Sequence, residues 1–339
     1  MIDIAERGVL QKYLVDKGLV DKGADFEIKY CGGGVSGTVA FVHTGKREMI
    51  VKQALAQLKV KETWLCDPNR MNIEMMSNAI YNKLVPESAP EVYFYDDENY
   101  IFGREAAPES ASMWKSDLLG GLLDFVVAEK VIQALSTVHN FCSRDAQAKA
   151  DFADKAIFHD LRISPYIKFV VEKYPRIAAF AEPVIDTLMN SSITLVHGDF
   201  SPKNVMVEGR KVYILDFEVA HYGHPAFDLA FFSNHFLLKS VKNKHWDAGY
   251  LNMLRYMLDI YFADMDCMDA KELETAYIRL LALLFLARVD GKSPAEYITE
   301  EADRELIRRI AFEMIDRGPT SRNEMLELVL ARVEEARLA

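Results

Sequence analysis

The segment from Leu195 to Phe232 reads LVHGDFSPKNVMVEGRKVYILDFEVAHYGHPAFDLAFF, and its order of acids, amides and β-branched residues leaves few folds open. His197-Gly198-Asp199 opens it, Asn204 lies five positions after Asp199, and Asp216-Phe217-Glu218 follows two short apolar runs. Those runs, Asn204–Val207 and Lys211–Leu215, are rich in β-formers and are joined at Glu208-Gly209, so they are expected to pair as a hairpin. A hairpin returns the chain to the point it left, which sets Asp216 beside Asn204 and Asp199. Phosphoryl transfer needs a carboxylate next to the attacking hydroxyl and hard oxygen ligands for Mg²⁺. Asp199 is the candidate for the first role, and Asn204 and Asp216 for the second. Taken singly, these residues read as a buried histidine, a solvated turn and a helix cap; their joint spacing carries the chemical reading.

The first hundred residues read as strands. Phe26–Tyr30, Thr38–Thr44 and Glu48–Ala54 are short β-rich runs, with Thr44-Gly45-Lys46 a hairpin turn, and Glu91–Tyr95 and Asn99–Phe102 are two more. Asn69 to Leu84 has the composition of a helix that stops before Pro86. Pro108 to Gly121 reads as a loop-rich boundary, after which Leu122–Phe141 has helical spacing and Pro225 is placed in a first helical turn. The expected fold is α+β and bilobal: a small N-terminal antiparallel sheet plus one helix over residues 1–105, and a larger, mainly helical C-terminal lobe over residues 106–339.

The N-terminal region carries a second set of candidates. Cys31-Gly32-Gly33-Gly34-Val35-Ser36-Gly37 lies between two expected strands, where the backbone N–H groups of Gly33, Gly34, Val35 and Ser36 can cradle phosphates. The third strand carries Ile50-Val51-Lys52, and Glu74 on the next helix is placed to hold Lys52. Arg104-Glu105-Ala106 falls at the hinge.

The catalytic segment resembles the H-R-D-x-x-x-x-N and D-F-G signatures of the protein-kinase fold. It is more similar to the aminoglycoside phosphotransferase superfamily, whose loop has His-Gly-Asp and a later Asp-Leu-Ala, here Asp228-Leu229-Ala230. Gly198 stands in place of the loop arginine and Glu218 in place of the D-F-G glycine, and no A-P-E element follows. Within that superfamily the N-terminal half looks most like methylthioribose kinase, through Val51-Lys52-Gln53-Ala54, Glu62-Thr63-Trp64-Leu65, Asp67 to Arg70, Ile73-Glu74 and Pro90-Glu91-Val92-Tyr93. Asp216-Phe217-Glu218 is similar to that family's D-x-E metal motif, and Ile307-Arg308-Arg309-Ile310 to its twin-arginine element beside the substrate. The loop departs from that family's H-G-D-L-H-T-G-S, reading H-G-D-F-S-P-K-N.

The resemblance implies ATP and Mg²⁺ as cofactors, with transfer to a hydroxyl of a small metabolite, a methylthioribose-like sugar first. It implies Asp199 as catalytic base, Asn204, Asp216 and Glu218 as metal ligands, and His197 and Asp228 as braces of the loop. Lys52, held by Glu74, meets the phosphates, and the backbone at Arg104, Glu105 and Ala106 meets adenine. Arg288, Arg308 and Arg309 are candidate substrate contacts. The alternatives are an aminoglycoside or choline-type phosphotransferase, for which the acidic run Asp264, Asp266 and Asp269 is the attracting candidate, and a catalytically silent nucleotide-binding module.

Composition limits the partners. With 40 basic and 51 acidic side chains among 339 residues, the net charge is −11, which disfavours nucleic acid and anionic membranes. The four cysteines form no C-x-x-C pair, and the most apolar stretch, Leu280 to Ala287, is far short of the ~20 residues that cross a bilayer. A cytoplasmic, soluble protein is expected, with monomer and homodimer both open.

Overall fold

The structure is a computed structural model that describes residues 2–24, 26–31, 37–44, 47–54 and 70–338. Five antiparallel strands form the N-terminal sheet: β1 (Glu27–Tyr30), β2 (Gly37–Thr44), β3 (Arg47–Ala54), β4 (Val92–Asp96) and β5 (Ile101–Glu105), in the order β1-β2-β3-β5-β4. Strand alternation divides its two faces. Ala40, Val42, Met49, Val51 and Ile101 are buried on one face. Val39, Ile50, Lys52, Phe102 and Arg104 share the other, as the pairings Val39↔Lys52, Lys52↔Phe102 and Ile50↔Arg104 require.

The first face is covered by α1 (Arg7–Asp16), a helix absent from the strand-only reading of this region. Leu10, Tyr13 and Leu14 recur at helical spacing and pack with Ile4 and Val20 onto Val42 and Val51. The helix ends in a left-handed Gly18, with Leu19 N–H donating to Leu14 O at 2.9 Å and Gly18 N–H to Val15 O at 3.0 Å. Among the described residues the N-terminal lobe therefore holds two helices rather than one. The second, α2 (Arg70–Leu84), buries Arg70, Glu74, Asn78 and Tyr81 along one face, as their three- and four-residue spacing dictates.

The boundary segment is more ordered than a loop. Trp114 and Leu118, one helical turn apart and buried, form a short helix over Trp114–Leu119, preceded by β6 (Ser112–Met113). β6 pairs with β8 (Val205–Glu208), which pairs with β9 (Lys211–Ile214), so the expected hairpin is present with Glu208 opposite Lys211. Two strands that the sequence reading did not anticipate, β7 (Thr194–Val196) and β10 (His221–Gly223), pair with each other on either side of the loop and hairpin that carry Asp199, Asn204 and Asp216. Pro225 sits just before its helix as the N-cap rather than inside it. That helix, Ala226–Lys242, is buried on nearly all sides, which marks it as the centre of the C-terminal core. Around it lie the helices Phe125–Cys142, Asp247–Asp264, Ala270–Asp290, Glu301–Arg317 and Arg322–Leu338. No helix among the described residues is long and apolar enough to cross a membrane.

Candidate active site

The loop between β7 and β8 is built around one carboxylate. Asp228, in the first turn of the central helix, accepts the backbone N–H of His197 at 2.7 Å and of Gly198 at 2.9 Å, one on each oxygen. His139 Nε2 lies 3.2 Å from the same carboxylate, and its Nδ1 meets Tyr261 OH at 2.6 Å. Gly198 has φ +77°, and a Cβ there would stand 2.4 Å from Val219 O, so a side chain is excluded for two separate reasons. This explains why glycine replaces the arginine of protein kinases. Burial lowers the His197 pKa against the pull of Asp228 and Asp199, leaving a neutral ring whose Nδ1 accepts the Asp199 N–H at 3.2 Å.

Asp199 is held from one side only. Its Oδ2 receives Lys203 Nζ at 2.8 Å, Asn204 Nδ2 at 2.9 Å and Arg162 at 3.2 Å. Its Oδ1 is buried and has no hydrogen-bond partner among the described residues. Burial raises the pKa of this carboxyl, but Lys203 and Arg162 outweigh burial and hold it below the usual range. The group is thus ionised with one lone-pair-bearing oxygen free. Arg162 comes from a π-helical stretch, His159–Lys168, and also donates Nε to Gly198 O at 2.7 Å, which ties the loop's shape to the placement of its carboxylate.

The hairpin then delivers the second acid. Leu215 N–H donates to Asn204 O at 2.9 Å, so Asp216 emerges beside the loop, in the left-handed region at φ +69°. A non-glycine residue held there is strained, a cost that structures retain mostly at functional sites. Asp216 Oδ1 lies 2.9 Å from Lys52 Nζ, and Lys52 Nζ lies 2.6 Å from Glu74 Oε2. Glu218 pairs with the fully buried Arg70 at 3.4 Å. Oxygens of Glu74, Asp216 and Glu218 all lie within 4.8 Å of one another. Burial pushes Glu74 up to about 7 against the pull of Lys52, with Asp216 and Glu218 adding to the rise. Three clustered carboxylates facing Lys52 and Arg70 are a hard-oxygen set short of positive charge, which suits a divalent cation.

Other expected residues fall elsewhere. Gly33, Gly34, Val35, Ser36 and Trp64 lie outside the described residues. Arg104 shares the Lys52 face of the sheet and donates to Glu105 O at 2.9 Å; Glu105 is half-buried at 3.6 Å from Lys211, and Ala106 is buried behind it. Arg288 is buried against Tyr166 OH and the carbonyl and hydroxyl of Ser293. Arg308 and Arg309 do not join the cluster around Asp199 and Asp216 and are held in ion pairs of their own. Arg308 is locked by Asp290 at 2.8 Å, Glu301 at 2.6 Å and Glu305, and Arg309 pairs at 3.4 Å with Glu335 of the last helix. Their helix turns its charged face to neighbouring helices. The acidic run is also structural: Asp269 caps its helix through Lys271 and Glu272 N–H, and Asp266 pairs with Arg144. Sequence reasoning missed Arg162 and Arg70, which reach the site from separate helices, and Lys203, whose four-residue spacing from Asp199 was visible.

A profile of the phosphotransferase enzyme family matches residues 27–270, well over half of the chain. The chain belongs to this family. It is a phosphotransferase of the small-molecule kinase type, with an alcohol group as acceptor. Among curated relatives, methylthioribose kinase of Bacillus cereus is 23% identical over 71% of this chain and 67% of its own length. Methylthioribose kinase of Escherichia coli is 25% identical over 66% of this chain and 60% of its own. Among solved structures, choline kinase from Cryptosporidium parvum Iowa II has a TM-score of 0.60 at 12% identity, covering 95% of this phosphotransferase and 100% of that chain. Amicoumacin kinase in complex with AMP-PNP, Ca²⁺ and Ami has a TM-score of 0.55 at 13% identity, covering 94% and 96%. At these identities the solved structures speak to the fold, which is the bilobal kinase-like one expected.

Proposed function

We propose that this phosphotransferase uses ATP and Mg²⁺ to phosphorylate a hydroxyl of a sugar-like polyol, with methylthioribose the reference compound. The observation that carries the reading is Asp199: an ionised, buried carboxylate with one oxygen tied down by three donors and the other free. The free Oδ1 accepts the proton of the acceptor hydroxyl as its oxygen bonds to the γ-phosphorus. The bond from that phosphorus to the bridging oxygen breaks, ADP leaves with the electron pair, and the proton passes from Asp199 to solvent. Lys203 and Arg162 keep Asp199 from rotating and keep it ionised before transfer.

Asp216, Glu218 and the side-chain oxygen of Asn204 are the groups that would hold Mg²⁺, which when bound neutralises charge on the phosphates. Lys52, oriented by Glu74, contacts the non-transferred phosphates. Val39, Ile50 and Phe102, on the cleft face of the sheet, offer an apolar wall for the adenine, with the Arg104–Ala106 backbone at its edge. The methylthioribose kinases among its relatives support a pentose-like acceptor. The test is ADP release with Mg²⁺-ATP across methylthioribose, related pentoses, aminoglycosides and choline. Acceptor-dependent ADP formation with a pentose is expected; turnover confined to aminoglycosides or choline overturns the sugar reading.

A further inference from the structure

Behind Asp199 the site becomes strongly basic, although the chain as a whole carries a net −11. Arg162, which holds Asp199, lies one turn from Tyr166 on the same stretch, and Tyr166 OH receives Arg288 at 3.3 Å. Lys239 of the central helix is wholly buried; among the described residues it pairs with no carboxylate, and it hydrogen-bonds to His235 O of its own helix at 3.3 Å. Its ammonium lies 5.3 Å from the Tyr297 ring, and that of Lys115 lies 5.8 Å from the same ring. Lys115 pairs with Glu296. Lys203, Arg288, Lys115 and Lys239 all act electrostatically on His235.

The charges do not balance. Among the described residues Arg162 and Lys203 face Asp199, Asp216 and Glu218, whereas Arg288, Lys239 and Lys115 gather about Glu296, three cations against one carboxylate. Hydrogen-bonding capacity is also left over, since Arg288 Nε and His235 Nε2 are buried without partners among the described residues. A buried cation with no counter-charge destabilises a fold, so a cluster of them beside a reactive carboxylate calls for an anion supplied from outside. A purely structural role accounts for the hold of Arg288 on Ser293, but not for Lys239, whose contact beyond its own helix is the Tyr297 ring and not a counter-charge.

We propose that Lys239, Arg288, His235 and Lys115 receive an anionic substituent of the acceptor, so that the phosphorylated molecule is a polyol bearing a carboxylate or a phosphate. This rests on the phosphotransfer reading and narrows it. The transfer chemistry is unchanged, the hydroxyl being presented to Asp199 while the anion is held behind it. A cationic aminoglycoside or choline meets repulsion in the same place, and neutral methylthioribose leaves the cluster unmatched.

The test is calorimetric titration of the full chain saturated with Mg²⁺ and AMP-PNP, which fills the nucleotide site and permits no turnover. The probes are ribonate, ribose 5-phosphate, ribose and choline. At least one anionic probe is expected to bind about tenfold or more tighter than ribose, with choline weaker still. Lys239→Met and Arg288→Gln are expected to reduce that anion's affinity to the level of ribose while AMP-PNP affinity holds, which also shows that the variants are folded. Ribonate and ribose 5-phosphate separate carboxylate from phosphate as the anion's source. Ribose or choline binding as tightly as both anions, or anion affinity surviving both substitutions, overturns the anion site and leaves the kinase reading standing. Failure of Mg²⁺ and AMP-PNP to bind at all overturns the phosphotransfer reading and this one with it.

Discussion

Lys52 and Asp216 stand 164 positions apart and meet at 2.9 Å, the ammonium of the N-terminal sheet resting on the acid that follows the C-terminal hairpin. Glu74 holds the same ammonium at 2.6 Å, so Lys52 is shared between two carboxylates, and their attraction outweighs burial and raises its pKa well above normal. Lys52→Met is therefore expected to do two things. It removes the cation from a buried carboxylate pair, which costs roughly 3–5 kcal/mol of stability. It also lowers kcat/KM for ATP by about a hundredfold or more through loss of phosphate positioning. Denaturant melts and steady-state kinetics on one preparation measure both; an active variant with unchanged ATP affinity would place the nucleotide elsewhere.

Asp199→Asn keeps the shape of the side chain, so Asn204 and Lys203 retain an oxygen to bind, but the free position loses its basicity. The expectation is a fall in kcat of about 10²–10⁴ with the Kd for Mg²⁺-ATP nearly unchanged. Single-turnover measurement of phosphoryl transfer separates the two quantities. A variant that retains near-full kcat sinks the assignment of Asp199 as the base.

The half of this site that lies in the C-terminal lobe is local in sequence, which is why its clustering could be read there. Asp199, Asn204 and Asp216 sit on one loop and one hairpin, and the turn at Glu208-Gly209 makes their meeting a matter of short-range geometry. Lys52 and Glu74 were legible because a lysine on an apolar strand followed by an acid on the next helix is a recognisable pattern too. The basic wall behind Asp199 has no such signature: Arg162, Lys239 and Arg288 belong to three different helices, and only packing around the central helix brings them together. Packing likewise decides what the sequence could not show for Arg308, which Asp290 on the neighbouring helix captures. The helix α1 is a different kind of miss. Leu10, Tyr13 and Leu14 carry the helical spacing openly, but a region dominated by β-rich runs was read as strands throughout.

Gly198 offers a test of the loop that leaves every charged group in place. Gly198→Ala adds one methyl group, at a backbone φ that L-residues seldom adopt and 2.4 Å from Val219 O. The loop must shift, breaking the paired bonds from His197 and Gly198 N–H to Asp228 and moving Asp199 away from the acceptor. A stability loss of about 1–3 kcal/mol is expected, with kcat falling by roughly a hundredfold because an error of ~1 Å in position is enough. Thermal melts and kinetics check it, and wild-type kcat in the variant would show that the positive φ has no part in catalysis.

Lys239 gives the stability a pH dependence with a definite sign. Burial, with Lys115 and Arg288 adding to it and Glu296 opposing, lowers its pKa from 10.5 to about 7. Between those two values the unfolded chain holds a proton that the folded chain lacks, so stability rises with pH across that window, and below about 7 the full penalty of burying the charge applies. Around Lys239 the charged or titratable neighbours are Lys115, Glu296, Tyr297, Arg288 and His235, and burial keeps His235 neutral far below its ordinary pKa. Lys239→Met replaces the ammonium with an apolar chain of similar length. The variant is expected to be more stable than the parent by a few kcal/mol at pH 6, and the gap should shrink steadily towards pH 9.5. Urea unfolding at pH 6, 8 and 9.5 reads the gap directly. A constant difference at all three pH values would mean that Lys239 stays charged when folded, with a counter-ion already in place.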